Sequence, residues 1–209
     1  MPPVPAPRVI RSTPAAQEVA ALVARAAEGD TAAFERLAAQ HQGKVFSFAL
    51  VFTPDRDEAA DLAQEAMVKA YRSITTFRFQ SSFTTWLYQI VKNTFLDFSK
   101  SRAGRERAMS RPLDGAGDLL AEAALADDAL VREEERRALQ RALERVPLAY
   151  RMAVVLFDMQ GLSYDEIAQV LGVPVGTVKS RLKRGRDALR ELIFEQRAAD
   201  DERAARRRA

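Results

Sequence analysis

Ser163-Tyr-Asp-Glu-Ile-Ala-Gln-Val-Leu-Gly-Val-Pro-Val-Gly-Thr-Val-Lys-Ser-Arg-Leu182 is the stretch on which the reading of this chain turns. Ser163 with Glu166 three positions later is a capping box: the hydroxyl accepts from the Glu166 amide while the carboxylate reaches back to the first amide. Ile167, Val170 and Leu171 share one face of the short helix that follows, and Ala168 is small where a second helix must approach. Gly172 supplies the left-handed conformation that ends the helix, Val173 plugs the core, and Pro174 starts the next helix. A small residue, a glycine four positions on and a proline-started helix is the layout of a helix-turn-helix.

The second helix is drawn at about 100° per residue. Val178, Leu182, Leu189, Leu192 and Ile193 form an apolar stripe with Gly185 inside it, beside a basic row of Lys179, Lys183, Arg186 and Arg190. Ser180 and Arg184 lie nearly opposite the stripe, where a helix in a DNA groove needs donors for bases and phosphates. Thr177 and the helix N-terminus add phosphate donors. Six basic side chains stand against the single acid Asp187 between Val178 and Arg190. An amphipathic surface helix with solvated charges is the plainer alternative.

Outward from this motif, the 209-residue chain is rich in Ala, Leu, Arg, Glu and Gln and shows no sustained alternation of β-branched residues, which predicts an all-α fold. Five of nine prolines fall in the first fourteen residues, so 1–15 reads as a disordered Pro-rich leader. An amphipathic helix is expected from about Ala16 to Glu28, ending at Gly29. A second, capped by Asp30 or Thr31, carries Phe34, Leu37, Val45, Phe48 and Phe52. A third opens on Asp55-Arg-Asp-Glu58, which resembles a capping box, and a fourth runs from Ser82 to about Lys100. Together they make one domain over 16–100 with an aromatic-rich core. Residues 101–135, with Gly104, Pro112, Gly115 and Gly117, read as a flexible acidic linker. Residues 136–195 make a second small domain of three or four helices built around the helix-turn-helix, followed by a charged tail, 196–209.

Composition excludes several chemistries. There is no cysteine, and His41 is the single histidine, so disulfides, thiolate zinc sites and His-rich clusters are ruled out. No glycine loop has phosphate-binding spacing, so neither an enzyme nor a metal or other cofactor is expected. His41 is expected on a helix surface or half-buried. Apolar runs such as Ala49–Phe52 are far too short to span a bilayer, and the N-terminus lacks a signal-peptide core, so a cytoplasmic protein is expected. Net charge is +3, but this sums unlike blocks: zero over 1–99, +4 over 100–112, −7 over 113–135 and +6 over 136–209. A basic, acidic, basic succession suits a chain that meets nucleic acid at two places; solvated helix faces joined by a charged linker would look the same.

Three further segments carry a resemblance. Asp61-Leu-Ala-Gln-Glu-Ala-Met-Val-Lys-Ala-Tyr-Arg72 is similar to the D-x-x-Q-E-x-x-x-x-A-x-R segment of bacterial RNA polymerase sigma factors. Phe83-Thr-Thr-Trp-Leu-Tyr-Gln-Ile-Val-Lys-Asn93, followed by Asp97, resembles the segment that comes next in that family. Gly161-Leu-Ser-Tyr-Asp-Glu-Ile-Ala168 and Gly176-Thr-Val-Lys-Ser-Arg-Leu182 resemble its C-terminal helix-turn-helix. The match covers about 20–100 and 137–194 in the right order, and the two-domain plan is similar to the extracytoplasmic-function (ECF) group of the sigma-70 family.

The resemblance implies a sigma factor that binds the polymerase core, recognises −10 and −35 promoter elements and helps to melt the former. Asp61, Gln64 and Glu65, which share one helix face, would then bind the core at the β′ coiled coil; without the resemblance they read as an ordinary solvated face. Arg78, Phe79, Gln80, Ser81, Lys92 and Asn93 would meet the −10 element, while Phe83 and Trp86 are expected to be structural. Relatives commonly carry Arg-Gly-Asp-Ser-like residues where this chain has Arg78-Phe-Gln-Ser81, which puts the identity of the captured base in doubt. Thr177, Lys179, Ser180, Arg181, Lys183 and Arg184 would meet the −35 element. The implied partners are the RNA polymerase core (β′ coiled coil and β subunit), promoter DNA and an anti-sigma factor, with no membrane insertion. The acidic linker, with Asp114, Asp118, Glu122, Asp127 and Asp128, would mimic nucleic acid inside the enzyme's channels. A helix-turn-helix regulator that is not a polymerase subunit is the competing reading; it leaves the Asp61-to-Asn93 pattern unexplained.

Overall fold

A computed structural model describes residues 14–53, 55–106 and 138–208. Residues 1–13 of the expected leader and 107–135 of the expected linker lie outside the described residues; the first helix takes in residues 14 and 15, and the fourth runs on over 101–106, six residues past the expected helix end. Eight α-helices and no strand make up the described chain: α1 (Pro14–Ala27), α2 (Thr31–Ala49), α3 (Arg56–Ser73), α4 (Phe83–Glu106), α5 (138–145), α6 (Leu148–Val154), α7 (Tyr164–Leu171) and α8 (Val175–Arg208). A 3₁₀ turn, Ile74–Thr76, follows α3, and a π turn, Val155–Met159, extends α6. The all-α reading therefore holds.

Local chemistry explains the breaks. Gly29 takes φ +97° after α1. Asp30 then caps α2, accepting from the Ala33 amide at 3.0 Å and from Arg25 Nε at 2.9 Å. Asp55 caps α3 by accepting from the amides of Asp57 and Glu58, and the Glu58 carboxylate accepts from the Thr53 hydroxyl at 2.7 Å. Along α3 the buried residues Ala59, Ala63, Ala66 and Ala70 recur at helical spacing, so a nearly smooth ridge lets α2 and α4 come close.

The core of α1–α4 is built on Leu22, Val23, Leu37, Val45, Phe48, Leu87, Tyr88 and Val91, all essentially buried. Ring contacts stiffen it: Phe48 lies 4.8 Å from Tyr88, and Phe52 stacks on Phe95 at 4.5 Å. His41 corrects an expectation. It is buried, its Nδ1 donates to the Leu37 carbonyl at 2.9 Å, and its ring meets the edge of Phe83 at 5.1 Å. Satisfied at one nitrogen and packed on an aromatic ring, it is a core residue.

Helices α5–α8 wrap a second, aliphatic set: Leu143, Val146, Ala153, Val154, Leu156, Ile167, Val170, Val178 and Leu182. At Gly185 the backbones of α6 and α8 nearly touch. A Cβ there would stand 2.6 Å from Val154 Cγ2 and 3.1 Å from the Tyr150 carbonyl oxygen, so only glycine fits.

Composition and periodicity say nothing of how the two sets meet, and the structure joins them into one continuous core. Helix α7 lies along α4. Arg151 is the deepest tie: its half-buried guanidinium donates to the carbonyls of Glu144 and Val146 and, across the junction, to Val51 at 3.0 Å. Three backbone acceptors converge on one planar five-donor group, which ties the end of α2 to the α5–α6 turn.

Candidate nucleic-acid and core-binding surfaces

The helix-turn-helix is built as its residues dictate. The Ser163 hydroxyl accepts from the Glu166 amide at 3.3 Å, and Glu166 accepts in return from the Ser163 amide at 3.0 Å. Gly172 takes φ +67°, and the Gly172 and Val173 amides both donate to the Ala168 carbonyl, closing the helix end. The Pro174 carbonyl accepts from Thr177 and Val178 and opens α8.

This frame fixes the outer face of α8. Lys179, Ser180, Lys183 and Arg184 are exposed, while Thr177 and Arg181 are half-buried. The Lys179 ammonium stands 5.7 Å over the Tyr164 ring, and Arg184 donates to the Tyr150 hydroxyl at 3.3 Å. These contacts aim two long cations outward from fixed points. Lys183 pairs with Asp187 at 3.2 Å. Arg186, in the same basic row, is engaged inward: it lies 5.1 Å from the Phe157 ring centre and forms a two-pronged pair with Asp158. That pairing raises its pKa. The wheel placed Arg186 among the basic residues; that it braces α8 against the π turn required the fold.

The face carrying Asp61, Gln64 and Glu65 lies on the first half of α3. All three are exposed, opposite the buried Leu62, Ala63 and Ala66. They form a polar strip on a rigid, capped helix.

The third surface comprises the loop after the 3₁₀ turn and the start of α4. Phe83 is buried and Trp86 half-buried, and both serve the core. Phe77 packs on Trp86 at 5.3 Å and Phe79 on Phe77 at 4.9 Å. Arg78, Phe79 and Gln80 are exposed and Ser81 is half-buried, its hydroxyl donating to the Ser82 carbonyl at 3.3 Å. Further along α4, Asn93 is exposed and Lys92 half-buried; burial lowers the Lys92 pKa.

Part of α4 is covered by the helix-turn-helix, a contact with no local sequence signal. Tyr88 donates to Gln160 Oε1 at 2.6 Å, Thr85 to Glu166 Oε1 at 3.1 Å and Gln89 to the Gln169 carbonyl at 3.0 Å. Burial drives the Tyr88 phenol well above its ordinary range. Glu166 thus serves twice, capping α7 and tying it to α4. Burial works to raise its carboxyl, yet the bonds from Ser163, Thr85 and Ser82 outweigh that and hold it below the usual carboxylate value. The capping box was legible in the sequence; its second set of partners, 81 and 84 residues away, was not.

Among the described residues no cluster of acids and histidine could hold a metal ion, and no helix is long and apolar enough to cross a membrane. A basic recognition helix on a helix-turn-helix, with a second polar and aromatic surface on a separate helical unit, defines a DNA-binding protein of the helix-turn-helix class. Sigma-70 region 2 matches residues 37–105, and sigma-70 region 4 matches residues 136–189. The ECF RNA polymerase sigma-E factor of Escherichia coli (strain K12) is 39% identical over 175 residues, covering 80% of this chain and 90% of that one. The RNA polymerase sigma-H factor of Pseudomonas aeruginosa is 37% identical over 177 residues, covering 82% and 92%. Among solved structures, the sigma factor RpoE in complex with the anti-sigma factor NepR from Bartonella quintana shares 27% identity at a TM-score of 0.63, covering 77% of this chain and 96% of that one. CnrH in complex with the cytosolic domain of CnrY shares 25% identity at a TM-score of 0.63, covering 85% and 98%.

The chain belongs to the sigma-70 family, in its ECF group of RNA polymerase sigma factors. Its function is promoter-specific transcription initiation in association with RNA polymerase.

Proposed function

We propose a division of that function among three surfaces. The α3 strip of Asp61, Gln64 and Glu65 docks on the polymerase core at the β′ coiled coil. The loop and helix residues Arg78, Phe79, Gln80, Ser81, Lys92 and Asn93 hold the melted −10 element. Thr177, Lys179, Ser180, Arg181, Lys183 and Arg184 read the −35 element from the major groove. The observation that carries this assignment is the separation of surfaces: an acidic-polar strip, an aromatic-rimmed loop and a basic helix face stand on different elements, each exposed in large part.

Physically the scheme works by linkage. Each DNA contact is weak alone, but engagement of one module raises the effective concentration of the other at the neighbouring element. The protein contributes recognition and strand capture, and RNA synthesis belongs to the core enzyme. Its place of action is the cytoplasm, where that core works. Melting needs unstacked bases held on aromatic rings and polar edges, which the loop supplies. Arg78, Phe79, Gln80 and Asn93 are open already, whereas DNA on the Gln89 side of α4 would require α7 to lift away. An anti-sigma factor is the natural inhibitor, since a solved relative is held in complex with one.

The test is addition of the purified chain to polymerase core with a promoter library. Promoter-dependent initiation supports the scheme; DNA binding without initiation supports a regulator outside the polymerase. Within a selected promoter, Arg184→Ala should cost about 1–3 kcal/mol of binding and relax specificity in the −35 element alone. Glu65→Lys should weaken core binding and leave DNA reading by the isolated chain unchanged.

A further inference from the structure

The basic row of α8, Lys179, Lys183, Arg186 and Arg190, is not held uniformly. Lys183 and Arg190 both meet the Asp187 carboxylate, at 3.2 and 3.5 Å, and Arg186 meets Asp158. Lys179, the first of the row, pairs with no carboxylate among the described residues. Its fixed contact is a ring: the exposed ammonium stands 5.7 Å over Tyr164. A carboxylate would take up the ammonium's N–H donors and cancel its charge. A ring face attracts the cation and narrows its choice of rotamers, yet leaves those donors unspent.

The ring is itself held in place. Tyr164 stacks on Phe157 with centres 4.9 Å apart and planes 14° from parallel. Phe157 lies 5.1 Å from the Arg186 guanidinium, whose carboxylate partner, Asp158, is the next residue along the chain. Both belong to the π turn Val155–Met159, in which the Gln160 amide donates to the Val155 carbonyl at 3.0 Å. Such turns are rare and concentrate at functional sites. Lys179 and Arg186 are seven residues apart, two turns or about 10 Å along the helix. The contacts therefore run Arg186, Phe157, Tyr164, Lys179, and both ends return to the same helix face.

We propose that Tyr164 is a positioning residue for Lys179, and that Lys179 thereby reads one base pair of the −35 element. A loose lysine is a mobile point charge suited to any phosphate, whereas one confined over a fixed ring meets one place in the groove. The base it would select there is guanine, whose O6 and N7 are the acceptors that a lysine bonds in the major groove. Phe157, braced by Arg186, sets the plane of Tyr164. This rests on the proposed −35 role of α8 and adds to it the residues that fix where the first cation points.

The experiment uses holoenzyme on a promoter it selects from a library, with each −35 base pair replaced in turn and binding measured over a range of salt. Lys179→Ala should flatten the preference at one guanine position about ten-fold. Tyr164→Leu should lower the preference at that same position about five-fold. Other positions and the salt slope should stay as in wild type, because the charge is still present. Tyr164→Phe should keep the wild-type preference. Pentafluorophenylalanine in place of Tyr164 keeps the shape of the ring but removes its negative face, and should match Tyr164→Leu even if the leucine variant is less stable. Adding Tyr164→Leu to Lys179→Ala should cost nothing more. A Tyr164→Leu loss that is equal at all positions or adds to that of Lys179→Ala overturns the positioning role, as does a pentafluorinated ring that behaves like phenylalanine. Lys179→Ala that weakens all sequences alike also overturns it, and leaves Ser180 and Arg184 as readers. If Arg184→Ala too alters no preference in the −35 element, the −35 reading itself falls.

Discussion

The helix-turn-helix and the loop leading into α4, the two surfaces proposed to meet DNA, both face outward, yet they are built in opposite ways. In the first, every awkward conformation is occupied by the residue that adopts it best: serine at the cap, glycine at the left-handed turn, proline ahead of the helix. In the second, the left-handed position, φ +57°, is held by Phe79, and the rings of Phe77, Trp86 and Phe83 beneath it supply the support. A surface that presents a regular helix can be specified locally. One that presents a single ring at one angle needs support from distant parts of the chain.

The contrast can be tested by breaking each kind of support, and the largest effect should come where the two regions are tied. Arg151→Ala leaves carbonyls of Val51, Glu144 and Val146 without a strong donor, and should cost about 3 kcal/mol in urea unfolding. Next is Gly185→Ala, which forces Val154 or the Tyr150 backbone to give way and should cost about 2 kcal/mol. It strains the seat of α8 without touching a DNA-facing side chain, so −35 binding should fall along with stability.

Ser163→Ala removes only the local half of the α7 cap and should cost about 1 kcal/mol. Replacing Thr85 with Val removes one of the two distant bonds to Glu166, leaving that of Ser82 and the helix cap in place. Hydrogen exchange should show α7 fraying in the first variant, and loosening of α4 against α7 in the second.

The smallest effect concerns pH. Burial pushes the His41 imidazole below its ordinary value, opposed by its bond to the Leu37 carbonyl and aided slightly by Lys44. The unfolded chain therefore takes up the proton first as pH falls. Stability is full above about pH 6.5 and is lost progressively below it. Melting temperature measured across that range should fall on the acid side in wild type and lose this component in His41→Gln.

Much of this was legible one segment at a time. The caps Asp30, Asp55 and Ser163, the stop at Gly172 and the apolar stripe of α8 follow from residue types at fixed offsets, because helix ends and faces are governed by neighbours three or four positions away. The exposed Lys179, Ser180, Lys183 and Arg184, and the strip of Asp61, Gln64 and Glu65, could be placed by the same periodicity. Arg186 could not: the wheel gives it the same standing as Lys183, and only the position of Asp158 on the π turn separates them. His41 was likewise invisible as a core residue, since its partners Leu37 and Phe83 satisfy it only once α2 and α4 are packed.

The amino-acid sequence alone determined an all-helical chain and the place of its helix-turn-helix, because those properties depend on hydrogen bonds and side-chain spacing within a few residues. Tertiary structure decided which charges are spent on bracing, how α7 lies over α4 and why a phenylalanine stands in a glycine's conformation. Each of those depends on groups brought together from far along the chain, which no local pattern encodes.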